Sequence, residues 1–133
     1  MTYLFAYLST LVVFVICDMV WLGTMASRLY RPTLGDILLA DVNLPPAVAF
    51  YLIYPAGLVV FAVLPALKSE SLAQAALNGA LFGFFSYLTY DLTNQATLRN
   101  WTTQLSLLDI SWGTLLGALS AVAGCWITAR LTA

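Results

Sequence analysis

Long stretches without charge constrain this chain more than any other feature of its sequence. A membrane-spanning helix needs about 20 mostly apolar residues, and four stretches reach that length, at residues 3–26, 44–67, 71–96 and 107–130. Their only acidic residues are Asp18, Asp91 and Asp109. The sequence therefore predicts a single domain over residues 1–133, an all-α integral membrane protein with four transmembrane helices.

The composition supports the same class of protein. The chain is 62% hydrophobic and 8% charged, whereas soluble domains carry about 25% charged residues. The net charge of −1 leaves no basic patch for nucleic acid, so no nucleic-acid partner is expected. The chain has no His and no EF-hand spacing, so we expect neither a metal site nor a cofactor.

Helix ends are marked by the residues that usually occupy them. Pro45–Pro46 suit the first turn of the second helix, where a missing N–H costs nothing. Ser69 and Glu70 predict the start of the third helix, as a cap and an acid that complements the helix dipole. Ser106-x-x-Asp109 has the form of a capping box and predicts the start of the fourth helix.

The connections predict how the helices are arranged. The longest, residues 27–43, contains Thr33-x-x-Asp36 followed by an apolar run, which predicts a short interfacial helix between helices one and two. The other connections are short, which favours an antiparallel bundle. Small-xxx-small pairs at Gly79/Gly83 and Gly113/Gly117 predict close packing of helices three and four.

Basic residues lie at both ends of the predicted bundle. We call the end with Arg28, Arg31 and Arg99 side B, and the end with Lys68 and Arg130 side A. Basic residues favour the cytoplasmic face. The excess at side B therefore predicts a cytoplasmic side B, with both termini outside.

Polar residues collect at one depth, close to side B. Helices one and three run towards side B and helix four starts there, so the three Asp differ in depth by about one or two turns. Aromatic and amide side chains join them at that level. The predicted binding pocket consists of Asp18, Trp21, Tyr51, Tyr54, Tyr87, Tyr90, Asp91, Asn94, Arg99, Asp109 and Trp112.

Each acid has a functional and a structural interpretation. An acid inside a span costs about 2.5–3.5 kcal/mol on insertion scales and usually faces the bundle interior at a functional position. Asp18 is the deepest, so we expect it to be the one that stays protonated. For Asp18 and Asp91 the alternative is hydrogen bonding between helices. For Asp109 the alternative is the capping box. Arg99 is either an interfacial anchor or a partner for an Asp or an anionic ligand.

Asp-x-x-Trp occurs twice, in "DMVWLG" at 18–23 and "DISWG" at 109–113. At this spacing the two side chains share one face of a helix. The two helices run in opposite directions, so the repeat is also compatible with an inverted duplication.

These motifs, with "FYLIYPAGLVVFAVLPAL" at 50–67 and "TYDLTNQATLRNW" at 89–101, resemble a bacterial family of small membrane proteins of unknown function, DUF2177. The resemblance covers nearly the whole chain. It implies a four-helix protein of the bacterial inner membrane and implies no activity. Gln95 departs from the family pattern, which is usually apolar there.

Three functions fit these features. The first is binding or carrying a lipid-like or other amphipathic small molecule in the pocket at side B, with transport requiring a homodimer. The second is a structural or accessory membrane subunit whose polar cluster only locks the bundle. The third is a lipid-modifying enzyme with Asp18 and Asp91 as acid and base. The chain has no His and no obvious nucleophile, so an enzyme is the least favoured of the three functions. No catalytic residue is assigned under the other two.

Overall fold

The computed structural model describes all 133 residues and contains helices, turns and no strands. In chain order the α-helices are α1 (Thr2–Met25), α2 (Arg31–Leu34), α3 (Leu44–Leu58), α4 (Leu64–Ser69), α5 (Leu72–Thr97) and α6 (Thr103–Thr132). A π-helical turn, Val59–Val63, joins α3 to α4. The chain is thus a bundle of four long helical stretches, as the sequence predicts.

The predicted start of the third long helix is wrong. Ser71, not Ser69, caps α5 by accepting a 3.1 Å hydrogen bond from the backbone N–H of Gln74. Glu70 instead ends α4 in a left-handed conformation, with φ 52°. The helix therefore begins only after this turn has reversed the chain.

The predicted capping box at Ser106 and Asp109 is also wrong. Thr102 caps α6 by accepting a 3.1 Å hydrogen bond from the backbone N–H of Leu105. The helix starts one turn earlier than predicted, and Ser106 and Asp109 lie buried inside it. This removes the helix-capping explanation for Asp109.

The segment after α1 differs from the predicted separate interfacial helix. A π-helical turn (Ala26–Tyr30), α2 and a 3-10 turn (Gly35–Ile37) continue α1 directly, and residues 38–40 are not helical. Leu29 and Leu34 are buried here and pack with Leu105. This segment therefore covers the side B end of α6, because its buried Leu side chains pack against Leu105 in the first turn of that helix.

The tightest contact in the bundle joins α5 to α6. A Cβ atom added at Gly79 would overlap the backbone of Gly117, and one added at Gly83 would overlap the backbone of Gly113. The absence of side chains lets the two backbones touch. The predicted close packing of the third and fourth long helices is confirmed.

Gln74 and Asn78 of α5 compensate for a backbone hydrogen bond that the neighbouring helical stretch lacks at Pro65. Pro65 has no N–H, so the carbonyl of Phe61, four residues earlier, loses its usual helical partner. The side-chain amide of Asn78 donates a 3.1 Å hydrogen bond to that carbonyl. Gln74 in turn donates to Asn78 at 2.6 Å. Asn78, held by Gln74, therefore satisfies one backbone carbonyl of the π-helical turn that precedes α4.

The core changes character along the bundle axis. Phe14, Leu58 and Leu116 are fully buried in its middle. Towards side A the core consists of smaller side chains, namely Ala6, Val59, Ala62, Val63, Ala66, Ala75, Ala121 and Cys125. Towards side B the buried residues include Asp18, Asp91 and Asp109. All three buried acids thus lie towards side B, whereas the fully buried polar side chains of the side A half are the hydroxyls of Thr10, Ser120 and Thr128.

Both termini lie at side A, because Thr2 and Thr132 line one cavity together with Glu70 and Ser71. Three helical stretches are long and apolar enough to cross a membrane: Thr2–Ile37, Leu44–Ser69 and Thr103–Thr132. Helix α5 has the length, at 26 residues, but is more polar. Asn78, Ser86 and Gln95 hydrogen-bond to other parts of the bundle. The exposed hydroxyls of Thr89, Thr93 and Thr97 bond to the backbone of α5 itself.

We predict that Gly83→Ala destabilises the bundle by about 1–3 kcal/mol, because the added methyl group meets backbone that has no room to move. The matched control is Gly23→Ala, since a Cβ at Gly23 meets nothing within 4 Å. Thermal unfolding in detergent, followed by circular dichroism, measures both. Equal melting temperatures for the two variants would contradict the close α5–α6 contact.

Candidate functional site

Asp18 joins three helices near side B. Its side chain is 6% exposed and lies in the side B half of α1. Tyr51 of α3 donates a hydrogen bond from its hydroxyl to one carboxyl oxygen, and Trp112 of α6 donates from Nε1 to the other at 3.1 Å. Each oxygen therefore accepts one hydrogen bond from a neighbouring helix. The expectation that Asp18 stays protonated remains a prediction, because a neutral carboxyl can accept the same two bonds.

Two tryptophans link Asp18 to Asp109. The rings of Trp21 and Trp112 stack with centroids 4.7 Å apart and planes within 3°. Trp21 donates from Nε1 to the Tyr30 hydroxyl at 2.8 Å, and Tyr30 donates to Asp109 at 2.6 Å. The repeated Asp-x-x-Trp motif therefore forms one connected unit. We call it the acid–aromatic cluster, and it comprises Asp18, Trp21, Tyr30, Tyr51, Asp109 and Trp112.

Tyr30 was not among the residues predicted for the site. It lies in the π-helical turn after α1, which the sequence places in a connection. The one sequence signal for Tyr30 is its place between Arg28 and Arg31, just after the first predicted span. Aromatic residues are common interfacial anchors at such places. Only the continuation of α1 beyond Met25 turns its hydroxyl towards Asp109.

Asp91 is the least satisfied polar group of the site. Its side chain is fully buried on α5, and neither carboxyl oxygen has a hydrogen-bond partner. The charged group beside it is the carboxyl of Asp109, and no Lys or Arg lies beside it. The structure thus places Asp91 beside Asp109, whereas the enzyme hypothesis requires a pair formed by Asp91 and Asp18.

Two further tyrosines of the predicted pocket lie between the cluster and the middle of the bundle. The hydroxyl of Tyr54 hydrogen-bonds to that of Ser86 at 2.8 Å. Tyr87 contacts Tyr54 edge-on, with ring centroids 6.2 Å apart, and its ring fills the space beside Gly113. Ser86 is a second residue that the sequence did not single out, because a lone Ser in a span gives no signal.

The remaining predicted residues lie at the rim. Tyr90 is 56% exposed and packs edge-on against Trp101, with centroids 5.7 Å apart. Asn94 is half-buried, and Arg99 is exposed beyond the end of α5. Gln95 has a structural role, since it accepts a 2.7 Å hydrogen bond from Ser106 at the start of α6. The predicted pocket therefore separates into a connected interior and a more exposed rim.

A groove lies on the outer face of the first half of α5, beside the π-helical turn Val59–Val63. It has a volume of about 490 Å³ and opens laterally. Its lining residues are Phe61, Asn78, Leu81, Phe82, Phe85 and Ser86, which define the lateral groove. Ser86 belongs both to this groove and, through its bond to Tyr54, to the edge of the polar region. A second cavity of about 620 Å³ lies at side A, near the termini.

We predict that Asp18→Ala destabilises the protein more than Asp18→Asn does. Asn keeps an oxygen that can accept one of the two hydrogen bonds, while Ala leaves both donors unpaired. The free energy of unfolding should fall by about 1–3 kcal/mol in Asp18→Ala on estimates for soluble proteins. The average for hydrogen bonds in membrane proteins gives a smaller fall, of about 0.6 kcal/mol.

Thermal unfolding in detergent compares these variants with Asp41→Ala, whose side chain is exposed in a connection. An Asp18→Ala variant as stable as Asp41→Ala would show that the acid–aromatic cluster does not hold the helices together.

Comparison with known proteins gives a family and no activity. The model of a family described as "Predicted membrane protein (DUF2177)" matches residues 3–126. No curated protein matches the chain, and no solved structure matches it. The matched region contains every residue of the acid–aromatic cluster and of the lateral groove. The chain therefore belongs to the DUF2177 family of predicted membrane proteins.

Proposed function

We propose that this protein crosses the bacterial inner membrane several times and binds or carries an amphipathic, lipid-like small molecule whose polar head lies towards side B. All four long helices cross in this proposal. Helix α5 has 26 residues, which at about 1.5 Å per residue exceeds the roughly 30 Å hydrocarbon core. Its one fully buried polar side chain, Asp91, lies beside Asp109 of α6, and its Asn78 side chain hydrogen-bonds to the Phe61 carbonyl.

The observation that carries this proposal is the position of the lateral groove. Its walls are mainly aromatic and aliphatic, and it opens to the side of the bundle, where lipid chains would lie. At one point it reaches Ser86, whose hydroxyl bonds to Tyr54. An apolar chain in the groove would place its polar head beside Tyr54 and towards Asp18.

The head group would meet an acceptor-rich environment. A carboxylate has about four lone-pair sites, and Asp18 uses two of them for Tyr51 and Trp112. No Lys or Arg lies in the interior between α1, α5 and α6, since Arg28, Arg31 and Arg99 are exposed. A head group that donates hydrogen bonds therefore complements this region better than an anionic one.

A second candidate function is supported by a different observation. Most polar groups of the acid–aromatic cluster are already bonded to one another, as in the chain from Trp21 through Tyr30 to Asp109. A closed network of this kind suits a structural or accessory subunit, in which the polar groups only lock the helices. Catalysis by an acid–base pair of Asp18 and Asp91 has less support, because each acid has different neighbours.

We predict that Leu81→Trp removes the bound molecule by filling the lateral groove. Leu81 lines the groove and is 46% exposed, so the larger ring enters the groove without disturbing the core. The control is Leu77→Trp, because Leu77 is 56% exposed on the same helix and does not line the groove.

Native mass spectrometry of protein released from nanodiscs, followed by lipid extraction, measures the amphipathic molecule retained by each variant. We expect wild type and Leu77→Trp to retain one species, and Leu81→Trp to lose it by about tenfold or more, which corresponds to about 1.4 kcal/mol. Equal retention by both variants would contradict binding in the lateral groove. No specific species on wild type would contradict binding altogether and favour the accessory role.

A further inference from the structure

The acid pair at the α5–α6 contact has no counter-charge. Asp91 is fully buried, and both of its oxygens lie without a hydrogen-bond donor. Its neighbour Asp109 is 6% exposed and receives one side-chain hydrogen bond, from Tyr30. Isolated ionised carboxylates are very costly to bury, and two that adjoin cannot both remain ionised without a partner.

The groups around the pair offer no such partner. Helix α6 contributes Asp109, and the turn after α1 contributes the Tyr30 hydroxyl. Helix α5 contributes Tyr90 one residue before Asp91, and Asp18 of α1 is bonded to Tyr51 and Trp112. The basic residues of side B, Arg28, Arg31 and Arg99, are exposed. Every ionisable group that faces the pair from the packed helices is therefore an acid or a phenol.

We propose that Asp91 and Asp109 form a proton-binding site, in which one proton is held between the two carboxyl groups. The neutral carboxyl becomes the missing donor, and the other carboxylate accepts its hydrogen bond. A multivalent metal ion fits less well, because no third acid, Cys or His joins the two acids to form a metal-ligating group. This site is independent of the ligand proposed for the lateral groove, since it needs only the α5–α6 contact.

Tyr30 connects the pair to side B. It donates to Asp109 at 2.6 Å and lies in the turn between Arg28 and Arg31, whose side chains are exposed. Asp91 has no comparable contact with solvent, because it is fully buried. In this proposal, proton exchange with the side B solution proceeds through Asp109 and Tyr30.

Infrared difference spectroscopy of the full protein in nanodiscs tests the site through the carbonyl band of a protonated carboxyl group. We expect wild type to show this band at neutral pH and Asp91→Asn to abolish it. Asp109→Asn should keep the band at a shifted frequency, because the buried Asp91 stays neutral while its acceptor changes from a carboxylate to an amide. Asp18→Asn and the exposed control Asp41→Asn should retain it. Tyr30→Phe should keep the band but shift its frequency, because the hydrogen bond to Asp109 is lost while the fold stays intact.

Several results would overturn the proposal. One is the absence of a protonated carboxyl band in wild type at neutral pH. Another is a band that persists in Asp91→Asn and is lost in Asp18→Asn. A third is displacement of the band by added Na⁺ or K⁺, which would make the pair a cation site. If Asp91→Asn does not fold, the response of wild type to these salts and the shift in Tyr30→Phe still decide the question.

Discussion

The backbone contact between α5 and α6 is the constraint on which the rest of the structure depends. Gly79 and Gly83 touch Gly117 and Gly113, so the two helices approach more closely than side chains would permit. The same contact buries Asp91. It makes α5, the most polar of the long helices, compatible with an apolar surrounding, because its acid is covered by a neighbouring helix and does not face lipid.

The polar region at side B follows from that contact. Once α5 and α6 are fixed, the acid of α1 reaches Trp112 of α6, and the two tryptophans stack between Asp18 and Asp109. The segment after Met25 then folds over the end of α6 and inserts Tyr30. The result is an interior whose acids all lie towards side B, with a lateral groove on the outer face of α5.

The parts of this arrangement that depend on local pattern were predictable. Hydropathy and length define the four long helices, and the glycine pairs define their closest contact, because both signals lie within single helices. The helix starts at Ser71 and Thr102 were missed because several Ser and Thr residues within one turn compete for the same role. Tyr30 and Ser86 were missed because their partners lie on distant helices. The pairing of Asp91 with Asp109 depended on helix rotation, which the similar depth of the acids does not fix.

The central claim is that α5 crosses the membrane as one half of a pair with α6. Cysteine-accessibility labelling at Thr2→Cys and Thr132→Cys, with Cys17 and Cys125 replaced by Ala, tests it most directly. Four crossings place both termini on the same side, so a membrane-impermeant reagent applied from one side of sealed vesicles should label both positions or neither. Labelling of one terminus from each side would mean an odd number of crossings, and the account of α5 would be wrong.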